Sequence, residues 1–380
     1  MKSCEPKGLS PPQAIAGPLT SSFPVHEVTE GRARLLVPEV PRKRGPGSRG
    51  PWPFYNPTMV VSRDLSAVAL ARWPFPLREV LDGLAATGVW GIRVRLETAA
   101  PVVAFNDWSR DATQLIERNL GLNGLEGEIL SMDLRTLLAS RAFDFVDIDP
   151  FGPPTPFLDA AIRGARSPLG VGITATDTAP LSGTYPAACL RRYGARPLRC
   201  PQGHEIGLRI LLGYTARLAM AYGKRMRPML SFAAEHFLRA LVLLVSGFVE
   251  GEPLGRIVRE PDGRFSVAPR DDANSSGPLW LGPLCDATFV RSLAPSEWTQ
   301  PASARLLARL QEEADMPPWF VTTNELGGRL LGSPPRIDRF LDALRAGGYR
   351  ATRTHFDPRG VKTDAPMGDV VRVFRRLMPP

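Results

Sequence analysis

The segment Phe143–Gly152 reads FDFVDIDPFG, an alternating apolar run that ends in a carboxylate, a proline and an aromatic ring. Those three residue types in a row suit one kind of chemistry. The exocyclic amine of a nucleobase is a poor nucleophile because its lone pair is delocalised into the ring, so acceptors must hold it before it can attack an electrophilic carbon. The Asp149 carboxylate and the Pro150 carbonyl can take its two hydrogens, which aims the lone pair and gives one proton a destination. The ring of Phe151 can stack on the base. Asp147 stands two residues earlier on the same face by strand periodicity, either as an orienting group or as a charge near the strand end.

Such a triplet works at the end of a buried strand, and three further strand ends carry acids. Val80–Asp82 runs into GLAATG, where Thr87 and Gly88 are small enough for a bound cofactor to approach the backbone. The glycine spacing is not GxGxxG, which weakens a dinucleotide reading. The strand 101–105 ends in Asn106 and Asp107, and an acid there can accept two hydrogen bonds from ribose hydroxyls; a helix cap or a solvated loop is the alternative. The next strand ends at Asp133, placed to meet an adenine amine, with the Leu134 N–H available to a ring nitrogen. Three carboxylates repel phosphate, which favours the nucleoside of S-adenosylmethionine over NAD.

The elements that position these ends alternate. Apolar strand patterns separated by helical ones, including Ser109–Leu122 and His204–Met220, predict an α/β fold with a parallel sheet and crossover helices, continued by Leu169–Thr176. Three regions are expected: a Pro, Ser and Gly-rich N-terminal segment over 1–27, the sheet domain with an N-terminal hairpin at Val28–Val37 over 28–225, and a C-terminal region over 226–380. A basic, turn-rich loop spans Pro41–Pro53. The C-terminal region begins as a small α+β unit with a PDG turn. It ends in a winged-helix pattern: helices over Ala302–Ala314, Asn324–Leu331 and a third capped by Ser333, then YRATRTHF, a DPRG turn and VKTDAP.

Composition narrows the partners. The 380 residues carry 47 basic against 38 acidic side chains, a net charge of +9, and every basic residue is arginine except Lys2, Lys7, Lys43, Lys224 and Lys362. This suits a polyanion or an anionic surface, and arginine's planar fork suits phosphate; a GC-rich genome or a hot habitat also explains the bias. No apolar run approaches the roughly 18 residues that span a bilayer and no signal peptide is visible, so a cytoplasmic location is expected. Cys4, Cys189, Cys200 and Cys285 are scattered without a CxxC pair, and His204-Glu205 is followed four residues on from the histidine by Leu208, which breaks a zinc HExxH pattern. No metal is expected.

Asp149-Pro150-Phe151 is a variant of the DPPY-like motif of amino-methyltransferases. With PFYNPTMVVSRDLSAVAL, DIDPFGPPTPFLDAA, TATDTAPLSGTYPAACLRRYG, GPLWLGPLCD and GYRATRTHFDPRGVKTDAP, the chain from about Val28 resembles the tRNA (guanine-26, N2)-dimethyltransferase family. The resemblance implies a Rossmann-like, S-adenosylmethionine-dependent methyltransferase domain, a C-terminal domain peculiar to the family, and tRNA as substrate. It implies that Arg63 contacts the cofactor carboxylate, Asp107 its ribose, and Asp133 and Leu134 its adenine, while Asp149 holds guanine N2 and Phe54 supplies a second stacking face. Where family members commonly read GIRGIR this chain reads GVWGIR, with Trp90 in place of an arginine and Arg93 as the remaining candidate for the cofactor. Arg353, Arg359 and Lys362 are expected to grip the tRNA backbone from the winged unit. Methylation of another base, such as adenine N6, and a tRNA-binding protein with a vestigial cofactor site are the alternative readings. Oligomeric state is left open.

Overall fold

The computed structural model describes residues 23–39, 50, 52–100, 102–247, 251–269, 272 and 274–378. The expectations for the N-terminal segment and most of the loop Pro41–Pro53 therefore lie outside the described residues. The chain enters through a hairpin, β1 (Val25–Glu30) and β2 (Ala33–Pro38), whose turn is made by Gly31 at φ +58°. A short 3-10 turn, Pro57–Met59, capped by the Asn56 side chain, leads into α1 (Val60–Leu70).

The sheet domain then alternates as expected. It runs through β3 (Glu79–Asp82), α2 (Val89–Glu97), β4 (Val102–Asn106), α3 (Arg110–Leu122), β5 (Ile129–Leu130), α4 (Leu134–Ser140), β6 (Phe145–Ile148), α5 (Thr155–Arg163) and β7 (Leu169–Ala175). Three helices follow: α6 (Thr178–Leu181), α7 (Pro186–Tyr193) and the long α8 (Gly203–Ala221). Next comes a strand pair, β8 (Lys224–Ala234) and β9 (Phe237–Ser246). All seven strands from β3 form one sheet in the order β5-β4-β3-β6-β7-β9-β8. The first five in sequence are parallel, and β9 runs antiparallel to both β7 and β8. The winding moves outward from β3 to β5 and then returns to the other flank at β6. The crevice between β3 and β6 is thus the switch point, where ligands bind in open α/β sheets.

The boundary expected at 225 is corrected. Met229–Gly247, read as part of a separate α+β unit, instead supplies the two antiparallel strands of the main sheet. Eight consecutive residues of β9, Phe237–Leu244, are buried and all but Arg239 are apolar, so the strand lacks the polar alternation of a half-exposed sheet. Helices α4, α5 and α8 pack with one set of sheet residues, including Val146, Ile148 and Ile173. The other set, including Val80, Val103 and Phe105, packs with α1, α2 and α3 and with Leu307 and Leu310.

Beyond the sheet, β10 (Leu254–Arg259), β11 (Phe265–Ala268) and β12 (Ser276–Trp280) form a small antiparallel sheet, and Gly263 at φ +85° serves the PDG turn. After α9 (Ala287–Ser292) comes the winged pattern: α10 (Pro301–Glu313), β13 (Val321–Thr322), α11 (Thr323–Arg329), α12 (Ile337–Ala346), β14 (Ala351–Arg353) and β15 (Gly360–Thr363). The last three strands of the chain form one sheet in the order β13-β15-β14. Two of the expected helix starts differ. The Thr322 side chain caps α11 by accepting from Glu325 N–H at 3.1 Å, and α12 begins only after Arg336, leaving Ser333 and both prolines in the preceding loop. A last helix that the sequence pattern did not reveal, α13 (Met367–Leu377), puts Phe374 edge-on to Phe340 at 5.2 Å and closes the core of this unit.

Candidate active site

Four strand ends build the crevice. At the end of β3, Asp82 is 4% exposed and accepts the Gly91 N–H at 3.0 Å from the first turn of α2. Burial, and next the charge of Asp147, push its carboxyl well above the usual range. The loop after it is tight: Ala86 and Gly88 both have positive φ, at +49° and +77°, and Gly88 N–H bonds Ala85 O at 2.7 Å. Thr87 is fully buried in that turn, its carbonyl held by Asn119 Nδ2 at 2.9 Å.

Asp107, just beyond β4, is braced on both oxygens. Its Oδ2 accepts from Ala86 N–H at 3.0 Å and its Oδ1 from Ser109 N–H at 2.9 Å, so the carboxylate is fixed in direction before any ligand arrives. Its neighbour Asn106 is fully buried and links three loops: Nδ2 donates to Gly83 O at 3.1 Å and Met132 O at 3.2 Å, while Oδ1 accepts from Met132 N–H at 3.2 Å. Asp133 caps α4, of which Leu134 is the first residue. Its half-exposed carboxylate pairs with Arg135, whose hydrogen bond pulls it down to about 2.

Asp149 follows β6. Burial, then the negative charge of Asp147, push its carboxyl up to about 6, against the pull of Arg239 and Arg63 and a hydrogen bond from Thr174. Pro150 is buried, whereas the Phe151 ring is 48% exposed. Gly152, at φ +91°, turns the chain, and its N–H donates to Thr176 Oγ1 at 2.7 Å. The ring of Phe54 lies 4.7 Å from that of Phe151 at an interplanar angle of 65°. Residues 97 positions apart thus form an aromatic pair beside an acid held near neutrality.

Two expected contacts change meaning. Arg63 is 7% exposed and its guanidinium forks onto Glu30 of β1 at 2.5 and 2.6 Å, with a third bond to Asn56 O at 3.0 Å. It lies close enough to pull on Asp149. Arg93, expected at the cofactor, is corrected: it is 1% exposed and enclosed by Glu30 at 3.0 Å, Asp64 at 2.7 Å and Glu97 at 2.8 Å. Three carboxylates occupy its fork, so it binds α2 to α1 and the hairpin. Trp90 fills an apolar slot, stacked 6.0 Å from Phe145.

The C-terminal residues also separate. Arg359 is exposed and donates to Asn324 Oδ1 at 2.5 Å, and Arg353 pairs with Asp338 at 2.6 Å on the surface. Lys362, expected to grip a backbone, is corrected: it is 4% exposed, between Glu205 at 3.5 Å and Glu313 at 3.9 Å. A ladder position on β15 faces inward as readily as outward, and periodicity in so short a strand could not tell the two apart. Sequence reasoning also missed Glu30 and Arg239, whose partners lie far away in the chain, and gave Asn106 no role of its own. Among the described residues no group of three or more histidine, cysteine, aspartate or glutamate side chains is arranged to hold a metal, and no helix is long and apolar enough to cross a membrane.

The crevice lines up carboxylates that can accept from hydroxyls and an amine and attract a cationic centre, together with a braced small-residue turn. That donor set fits a sulfonium nucleoside and would repel a phosphate. Fold and site together define an S-adenosylmethionine-dependent methyltransferase of the α/β class. The sequence profile of the N2,N2-dimethylguanosine tRNA methyltransferases matches residues 31–257 and 268–375, so the chain belongs to that family. It is similar to the tRNA (guanine(26)-N(2))-dimethyltransferase of Thermococcus kodakarensis, at 39% identity over 92% of this chain and 99% of the relative. The corresponding enzyme of Pyrococcus furiosus is also 39% identical, over 93% of this chain and 100% of the relative. Among solved structures, Trm1 of Pyrococcus horikoshii in complex with S-adenosyl-L-methionine superposes with a TM-score of 0.81 at 38% identity, covering 92% of this chain and 99% of that one.

Proposed function

We propose that this chain methylates the exocyclic N2 of guanosine 26 in tRNA, first to N2-methylguanosine and then to N2,N2-dimethylguanosine, with S-adenosylmethionine as donor. One observation carries the reading: Asp149, Pro150 and Phe151 stand at the end of β6, opposite Phe54, at the switch point of the sheet. Asp107 would hold the cofactor's ribose, Asp133 and the Leu134 N–H its adenine, the turn at Thr87 and Gly88 would let it approach, and Arg63 would steady its carboxylate. When bound, the cofactor would supply an electrophilic methyl for the guanine nitrogen, the broken methyl–sulfur bond leaving its electron pair on a neutral thioether.

The chain's own residues do the rest. Phe151 and Phe54 flank the extruded guanine, which fixes its plane. The Asp149 carboxylate and the Pro150 carbonyl accept the amine's hydrogens, and Asp149 takes the proton released as the new N–C bond forms. A carboxyl near 6 suits this duty, being charged at neutral pH yet basic enough to receive a proton. Arg353 and Arg359 on the winged unit would hold the tRNA backbone.

The test is direct. Purified protein is incubated with labelled S-adenosylmethionine and an unmodified tRNA transcript, the RNA is digested, and the nucleosides are identified. N2-methylated guanosine that disappears when position 26 is changed to adenosine is the expected result; label on another base, or on the altered transcript, overturns the assignment.

A further inference from the structure

Ile148 of β6 lies opposite Ile173 of β7, so Asp149, one step further, comes level with Thr174. The Thr174 hydroxyl hydrogen-bonds the Asp149 carboxylate. Thr174 is in turn paired with Arg239 of β9. Arg239 is 1% exposed; its Nη1 donates to Thr174 Oγ1 at 2.8 Å, and its Nη2 to Ser66 Oγ of α1 at 2.9 Å and to Asp147 at 2.5 Å. A side chain on β9 reaches β6 only by crossing the strand between them. Gly172, opposite Asp147, leaves the gap: a Cβ there would lie 2.1 Å from Asp147 Oδ1 and 2.9 Å from Arg239 Nη2.

Burying an arginine is costly unless every contact is well made, and an apolar side chain of similar volume would pack a sheet face as well. Apart from its bond to Ser66, this arginine spends its contacts on one acid of the catalytic strand and on the hydroxyl that holds the other. We infer that Arg239 is a positioning residue for methyl transfer, which acts through Thr174 and Asp147 to fix the orientation of the Asp149 carboxylate and keep it charged. The inference rests on the amine methylation proposed above.

The ionisable groups around Asp149 are Asp147 on its own strand, Asp82 at the end of β3, Arg63 from α1 and Arg239 from β9, with Asp107 beyond β4 acting on Asp82. Without Arg239 one of the two cations is lost and Asp147 loses its counter-ion, so that Arg63 alone is left to favour the charge on Asp149. Asp149 would then hold its proton to higher pH.

The experiment measures initial rates of transfer to unmodified transcript from about pH 5.5 to 9.5 for wild type, R239M, T174V and T174S. The wild-type rate should fall on the acid side near pH 6. In R239M and T174V that limb should move up by about one unit or more, which roughly halves the rate at pH 7 and approaches about a tenfold loss below pH 6, and activity should return toward pH 9. T174S, which keeps the hydroxyl, should restore the wild-type limb. If R239M does not fold, judged by its thermal melt, the valine and serine pair at 174 decides the matter. Rates that fall equally at all pH values, with the limb unmoved, would mean a packing role only and overturn the inference. A wild type with no transfer at any pH would instead overturn the functional reading.

Discussion

The molecule buries charge in two places and treats it in opposite ways. Where α8 meets the C-terminal unit, Glu205 is fully buried, with Arg209 Nε and Nη2 on its Oε1 at 3.1 and 2.9 Å and Trp319 N–H at 3.0 Å. Arg209 also donates to Trp280 O at 3.1 Å and Gly282 O at 2.8 Å, and Glu313 accepts from Thr354 Oγ1 and bonds the His355 ring, both at 2.9 Å. Burial raises both glutamates, but Lys362 with Arg209, and His355 with Lys362, outweigh it, so both carboxyls lie below their usual range. At the crevice the same burial wins, and Asp82, Asp147 and Asp149 all lie above theirs. Balanced acids fasten one unit to another, whereas acids left short of cations keep a proton within reach and can do chemistry.

The largest break in that contrast is Asp149→Ala. It should lower transfer at least about a thousandfold, within the span of general-base effects, while calorimetry shows S-adenosylmethionine affinity unchanged; near-normal rates would remove Asp149 from the mechanism. Next is Lys362→Met, which leaves two buried glutamates short of a cation and should cost about 3–5 kcal/mol of stability in denaturant melts. The sign with pH separates the two regions. Because the folded carboxyls of Glu205 and Glu313 lie below their unfolded values, their stabilisation is present above those values and lost as pH falls through the folded ones. Asp149 is the reverse, favouring the folded state at low pH and opposing it as pH rises toward 6, so Asp149→Asn should melt higher than wild type at pH 7 and not at pH 4. The smallest effect is that of R353A with R359A: tRNA binding should weaken a few-fold and the slope of log affinity against log salt should flatten by about one to two. An unchanged slope would take the winged unit's arginines out of the interface.

What could be read from the sequence follows from distance along the chain. Asp82, Asp107, Asp133 and Asp149 each end a strand whose own residues announce it, so their convergence on one edge of a parallel sheet was legible from the alternation of elements. The residues that set their properties were not. Glu30 meets Arg63 and Arg93, 33 and 63 positions away, and Arg239 meets Asp147 across 92, with nothing in the intervening sequence that pairs them. Arg93 looked available because a sequence shows an arginine after a glycine turn but not the three carboxylates around it. β8 and β9 were assigned to another unit because an apolar antiparallel pair carries no mark of the sheet it joins.

Glu30 also bears on the order in which the fold is completed. The hairpin that carries it is the earliest made of the described elements, yet its two counter-ions sit on helices translated later, and neither helix can offer its guanidinium until it has packed on the sheet. The hairpin is therefore secured only once α1 and α2 are in place, and it locks like a clasp over them. Removing the hairpin takes that clasp away and leaves Arg63, beside the crevice, without its carboxylate.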